Sequence, residues 1–434
     1  MCPGRGVLFV VLLNQEERRE DMKVTLKFSA TLVTLLLVLA VLVSGCGQTQ
    51  SSSPAASPAS PKASSSAPAS SAPASSAPAP AAKLSGTIKI GVALALTGPY
   101  ETGVRGHRVG IEMAVEDVNK SGLLDDAKIE IVEADAVNTN ETAINAFQKL
   151  IKTDKVTAIF GPPSATQAMA AIPLAQQAKV LVMSPNALPA VPAIGDHVFG
   201  TVPMYPDTVP GALKQVVPAR GIKTAALLSE KEYVLAVADA KARRETLKQL
   251  NVQIVLDEET VATDTDFTPL VTKVMNAKPD MVAVDLTPPA GPLLLKQLKQ
   301  AGYKGTIMSG PGTLPPSFPA GDPQLYEGTL NIVGWFPGQP GETDKTKDFI
   351  KRFAEKRGSS PDQYAIGQYD NVWMLAKAIK KAGKINDIEG IRSALMTIEH
   401  DGLQGKLKFN DKRIQDHNPV VIQAQNGAYT LFKP

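Results

Sequence analysis

From Thr87 onward the chain alternates short β-branched runs with longer amphipathic stretches, and it does so in two successive series. That alternation restricts the possible architectures more than any other feature of the sequence. Thr87–Leu94 (TIKIGVAL) predicts a strand, followed by a Gly-rich turn and a helix from about Gly103 to Val118 with Val109, Met113 and Val118 on one side. Strands over Lys128–Glu133, Val156–Phe160 and Val180–Met183 alternate with helices over Asn140–Thr153 and Ser164–Gln177. The second series sets strands at Ala225–Leu228, Gln253–Glu258, Met281–Asp285 and Thr306–Met308 around helices at Tyr233–Leu250, Phe267–Ala277 and Pro292–Ala301. Parallel strands joined by covering helices are the simplest way to bury such runs. The expected fold class is α/β, with two doubly wound αβ lobes.

The segment before this region is of another kind. Met22–Lys27 (MKVTLK) carries two lysines, and Phe28–Val43 is apolar apart from Ser29, Thr31 and Thr34, the pattern of a secretory signal. The residues Leu42, Val43, Ser44 and Gly45 before Cys46 resemble a bacterial lipobox, which implies cleavage before Cys46 and attachment of lipid to it. The apolar run is shorter than the roughly 20 residues of a spanning helix. Residues 1–45 are therefore expected to be a signal segment with its start at Met22. The mature chain is expected to be extracytoplasmic, anchored through Cys46 on the outer face of a bacterial cytoplasmic membrane.

Residues 46–83 follow as the lipidated cysteine and a Ser/Ala/Pro tract with Lys62 and Lys83 as its only charges. Such a composition cannot bury enough apolar surface to offset ordering entropy, so a flexible tether is expected. Its 37 residues after Cys46 would reach roughly 35 Å as a coil and about 115 Å extended. Of the two cysteines, Cys2 and Cys46, neither lies in Leu84–Pro434, which excludes a disulfide or thiolate metal site there. The remaining length favours two domains. A net charge of +3, without a long Lys/Arg block, gives no nucleic-acid-binding face.

Several segments then carry a family likeness. The opening IKIGVALALTGPYETGVRGHRVGIEMAVEDVNKSG, the later IFGPPSATQAMAAIPLAQQAKVLVMSPNA and DFTPLVTKVMNAKPDMVAVD, and the helix QYDNVWMLAKAIKKAG resemble type I periplasmic binding proteins, in particular the leucine/isoleucine/valine-binding proteins of ABC importers. The resemblance implies three hinge crossings, near Thr201–Tyr205, Asn331–Phe336 and Arg413–Asn418. Lobe 1 would comprise 84–203 with 335–414, and lobe 2 would comprise 204–334 with 415–434. It further implies a monomer without cofactor that closes on a small ligand and engages ABC permease subunits.

The same likeness suggests ligand residues. Ser164 stands at a strand-to-helix junction as an N-cap, and Ala165 and Thr166 would offer first-turn amides to a carboxylate. Ser184 and Asn186 resemble the second ligand loop, and Tyr233 matches a tyrosine that covers the ligand. Tyr100, Tyr205, Trp335 and Tyr364 are further wall candidates. Departures bear on the ligand: a hydroxyl expected two residues after Asn186 is Leu188, an aromatic after Met281–Asp285 is Thr287, and the acid that would hold an ammonium falls near Pro311, with no carboxylate in that loop before Asp322. Buried without a counter-charge, an ammonium costs several kcal/mol. Asp285 either supplies that charge or pairs elsewhere. A branched-chain amino acid is the family default; a hydrophobic or aromatic carboxylate or amide lacking the α-amino group is the alternative, and a tethered sensor is the alternative to transport.

Enzyme signatures are missing from the sequence. His107, His197, His400 and His417 are scattered without HExxH spacing, and neither GxSxG nor a phosphate loop occurs, so neither catalysis nor a metal site is expected. Gly103, Gly106 and Gly110 follow GxxGxxxG rather than a dinucleotide fingerprint and read as letting a helix begin close to a sheet.

Overall fold

The computed structural model describes residues 83–97, 101–136, 139–310, 313–314, 323–416 and 418–434. The signal segment, Cys46 and the linker up to residue 82 lie outside the described residues, as do Tyr100, Pro311, Asp322 and His417.

One lobe is built on a parallel five-stranded sheet in the order β2 (Asp126–Asp135), β1 (Ser85–Leu94), β3 (Ala158–Phe160), β4 (Leu181–Ser184), β5 (Val198–Gly200). The other repeats that order over β7 (Gln253–Thr260), β6 (Thr224–Glu230), β8 (Met281–Asp285), β9 (Thr306–Ser309) and β10 (Leu330–Val333), all parallel. It then adds β13 (Val420–Gln425) antiparallel to β10, and β14 (Ala428–Leu431) antiparallel to β13. A hairpin of β11 (His400–Gly402) and β12 (Gly405–Leu407) completes the strands among the described residues.

Period-two side-chain alternation explains why both faces of each sheet are covered. In β1, Ile88, Ile90, Val92 and Leu94 enter one core while Ala93 enters the opposite one. Phe160 and Ile159 on β3, and Met183 and Val182 on β4, divide in the same way. The first face is closed by α1 (Glu101–Ser121), α8 (Asp344–Arg357), α9 (Gln363–Ala382) and α10 (Ile388–Leu395). The second is closed by α2 (Asn140–Gln148) and α3 (Ala165–Gln177). In the other lobe Met281 and Ala283 face α4 (Tyr205–Arg220) and α5 (Val234–Gln249), and Val282 and Val284 face α6 (Thr268–Ala277) and α7 (Ala290–Gln300).

Gly110 of α1 serves a helix contact rather than the close approach to a sheet expected from the glycine spacing. An ideal Cβ on Gly110 would overlap the carbonyl oxygen of Ala365 in α9, whereas one on Gly103 meets nothing within 4 Å. Gly110 thus lets α1 and α9 pack backbone to backbone. Gly110→Ala is expected to lower stability by about 1–3 kcal/mol through overpacking, read as a lower urea midpoint. Gly103→Ala, in open space, should be neutral or slightly stabilising. Among the described residues no helix is long and apolar enough to cross a membrane.

Candidate functional site

In a sheet of this strand order, loops diverge to opposite faces at the point where the order reverses, leaving a crevice at the strand C-termini. Those points lie between β1 and β3 in one lobe and between β6 and β8 in the other. The loop after β3 runs from Gly161 to Ser164 into α3. The loops after β6 and β8 carry Tyr233 and Leu286–Pro289.

The lobes meet across this crevice. The Tyr205 hydroxyl, at the head of α4, lies 3.0 Å from the Tyr364 hydroxyl in the first turn of α9. Leu235 of α5 packs in the same apolar cluster as Leu188 and Val191, with Ala165, Tyr205 and Tyr233 against it. A small cavity of about 10 Å³, the room of roughly one water molecule, is lined by Tyr205, Tyr233, Leu235, Ala236, Asp239, Asp285 and Leu286. Enclosure between the lobes, reinforced by Tyr364, pushes the Tyr233 phenol up to about 12 and Tyr205 well above its usual range. Both are therefore neutral hydrogen-bonding groups at physiological pH. Behind them the buried His107 ring stacks on Tyr364 at 4.7 Å and 16°.

Ser164 occupies the N-cap position of α3 with extended backbone, but its side chain makes no capping hydrogen bond. The N-cap position is the expected one, and the hydroxyl lies 3.0 Å from that of Thr166 rather than on a backbone amide. No side chain of the cap shields the first-turn amides of Ala165 and Thr166. Asn186 acts as a brace: its amide donates to Pro163 O at 2.9 Å and its carbonyl accepts from Leu188 N at 2.9 Å. It ties the two loops together with one of its two N–H groups and one of its two lone pairs. Ser184 is buried and its hydroxyl has no partner among the described residues. Thr287 is held by Glu230, to which its amide and hydroxyl donate at 2.9 and 2.6 Å. Trp335 is buried in the core of the first lobe. Of the expected residues among those described, Tyr233, the wall candidate Tyr205 and Asp285 line the cavity.

The sequence reading missed Asp239 and Arg243. Both are buried, at 2% and 0% exposure, on α5. The Arg243 guanidinium donates to Asp285 at 2.9 Å and to Asp239 at 3.0 Å. Asp285 thus both faces the cavity and pairs with an arginine, combining the two alternatives posed for it. Burial opposes the Arg243 charge, and Asp285 and Asp239 outweigh that effect and raise its pKa. Among the described residues no group of three or more His, Cys, Asp or Glu side chains is arranged to hold a metal ion.

Two lobes of like strand order, touching through Tyr205 and Tyr364 beside a tyrosine-walled cavity, have the form of a two-lobed binding protein. Residues 87–428 match the family model described as "Periplasmic binding protein". The chain is 28% identical over 330 residues to the leucine-, isoleucine-, valine-, threonine- and alanine-binding protein of Pseudomonas aeruginosa, covering 75% of this chain and 86% of that one. The branched-chain amino acid transporter substrate-binding protein of Streptococcus pneumoniae, solved with isoleucine, superposes with a TM-score of 0.70 at 24% identity, covering 80% of this chain and all of that one. An R. palustris solute-binding protein solved with 4-hydroxybenzoate gives 0.68 at 23% identity, covering 80% and 96%. The chain belongs to the periplasmic binding protein family.

Proposed function

We propose that the protein is the solute-binding component of an ABC importer, tethered outside the cell membrane through lipidated Cys46, and that it acts as a monomer without catalysis. The observation that carries this reading is the contact between two lobes of the same strand order, Tyr205 on Tyr364 and Leu235 among Leu188 and Val191, beside a second-lobe cavity walled by Tyr205, Tyr233 and Leu235. A ligand that touches both lobes favours the closed form, which the permease then engages. Closure would turn about the stretches that leave β5, leave β10 and enter β13. Ser164, Ala165, Thr166 and Ser184 would receive the ligand carboxylate, with α3 aiming its free amides and positive dipole end at it.

The branched-chain amino acids are the first ligand class to test, in line with what the P. aeruginosa relative is named for. A hydrophobic or aromatic carboxylate is the second, favoured by Leu188 in place of a hydroxyl and by the tyrosine walls. A thermal-shift screen separates them. A ligand at 100 times its Kd stabilises by about 2.7 kcal/mol, a shift of several degrees in Tm. Leucine, isoleucine or valine raising Tm supports the first class, and a shift confined to acids without an amine supports the second. No shift with either class overturns the ligand assignment.

A further inference from the structure

Resting on that reading of the cleft, we propose that Asp239 accepts the protonated amine of the ligand, and that the incoming cation displaces one proton from the Asp239–Arg243–Asp285 cluster. The resemblance puts an ammonium-binding acid in the loop after β9, near Pro311; the acids that line the cavity are Asp239 on α5 and Asp285 at the end of β8, and of these Asp239 has the oxygen without a partner.

The argument begins with charge. Asp239 and Asp285 both lie within 3.3 Å of one fully buried guanidinium. One arginine balances one of them, and the second negative charge has no cation beside it. Gly310 closes the cluster from β9, where an ideal Cβ would overlap the Asp285 carboxylate and leave no space for a further side chain. The Oδ2 atom of Asp239 is spent on Arg243, while its Oδ1 accepts no hydrogen bond from any described residue. This carboxylate is 2% exposed and lines the cavity. A buried acceptor left unmatched is costly unless a ligand or a proton completes it.

In the empty protein the completing group is a proton. Burial, followed by the neighbouring charge of Asp285, pushes the Asp239 carboxyl well above the usual carboxylate range, with Arg243 pulling the other way. The groups around it are Asp285 from β8, Arg243 one turn along α5, Tyr205 at the head of α4 and Tyr233 before α5; Glu230 and Tyr364 lie behind Tyr233. The tyrosines titrate too high to take part, and Glu230 is held by Thr287. An ammonium docking at Oδ1 supplies the missing positive charge, so Asp239 ionises and its proton passes to solvent. Protons in and out balance at one released per ligand bound. Amine affinity then rises with pH until the empty cluster has lost its proton.

The test uses two matched pairs of probes, leucine with 4-methylpentanoate and phenylalanine with 3-phenylpropanoate, titrated calorimetrically into the full-length protein in two buffers of different ionisation enthalpy. A charged hydrogen bond to a buried acid is expected to favour the amine member by about 10–100-fold, with about one proton released per amine bound. Asp239→Asn should bring the pair affinities within about threefold of each other and abolish proton release. Its Tm at neutral pH should be unchanged or higher, which separates recognition from folding. Equal affinity for the two members of a pair, or an undiminished amine preference in Asp239→Asn, overturns the proposal while leaving the solute-binding reading intact. If none of the four probes binds the wild type, the ligand class under both readings is wrong and the proposal falls with it.

Discussion

Replacing Arg243 with Met is expected to destabilise the protein by about 3–5 kcal/mol, the usual consequence of removing one partner from a buried ionic cluster. Methionine fills much of the stem's volume, so the loss is electrostatic rather than a cavity effect. Without the guanidinium, Asp285 and Asp239 remain buried side by side at the end of β8 and on α5. Urea denaturation at neutral pH would show the loss directly. Mild acid should restore part of it by protonating the stranded carboxylates, and Asp239→Asn with Asp285→Asn in the Arg243→Met background should restore more. A loss under 1 kcal/mol would mean that water already reaches the cluster.

Acidification is expected to cost about 3 kcal/mol through His107 alone. Burial, opposed in part by Asp362 and assisted by Arg357, lowers its imidazole to about 4. The unfolded chain binds that proton near 6.5. Between those values the unfolded state carries more protons than the folded one, so stability falls as pH drops from 6.5 towards 4 and is flat with respect to this group above 6.5. The full difference of about 2.5 units is worth about 3 kcal/mol. His107→Phe keeps a flat ring against Tyr364 and removes the titration. Stability measured by urea midpoint across that range should lose its slope in the variant by the same amount; an unchanged slope would assign it to other groups.

The inner strands were readable because they are short apolar runs buried on both faces, and the half-exposed edge strand β2 because apolar and polar residues alternate along it. Met281–Asp285 has the same bounds in sequence reading and structure, and the ends of the others differ by a few residues. The site was far less legible. Asp239 and Arg243 sit in VLAVADAKARRETLKQ, whose charge density reads as a solvated helix face. Their burial depends on Asp285, which is 42 residues beyond Arg243 and reaches it only because β6 and β8 pair side by side. Glu230 and Thr287 are joined by the same adjacency. Asn186 was legible as a loop residue, but what its amide bonds to was not, since Pro163 belongs to the neighbouring connection. The glycine of α1 was visible, yet its reason lies in α9, more than two hundred residues later.

The repeated strand order sets unlike walls against each other. The positive end of α3 stands on one lobe and, on the proposed reading, an Asp239 carboxylate that ionises as a cation approaches stands on the other, so the closing cleft would carry an electric field directed from the first lobe to the second. A dipolar solute entering that field has one favourable orientation. Its interaction with the wall it has not yet reached strengthens as the gap narrows and water leaves. The work of drawing the lobes together is then done largely by charge separation within the ligand, and a molecule of equal size and shape without that separation would fill the cavity while leaving the closing equilibrium nearly unmoved.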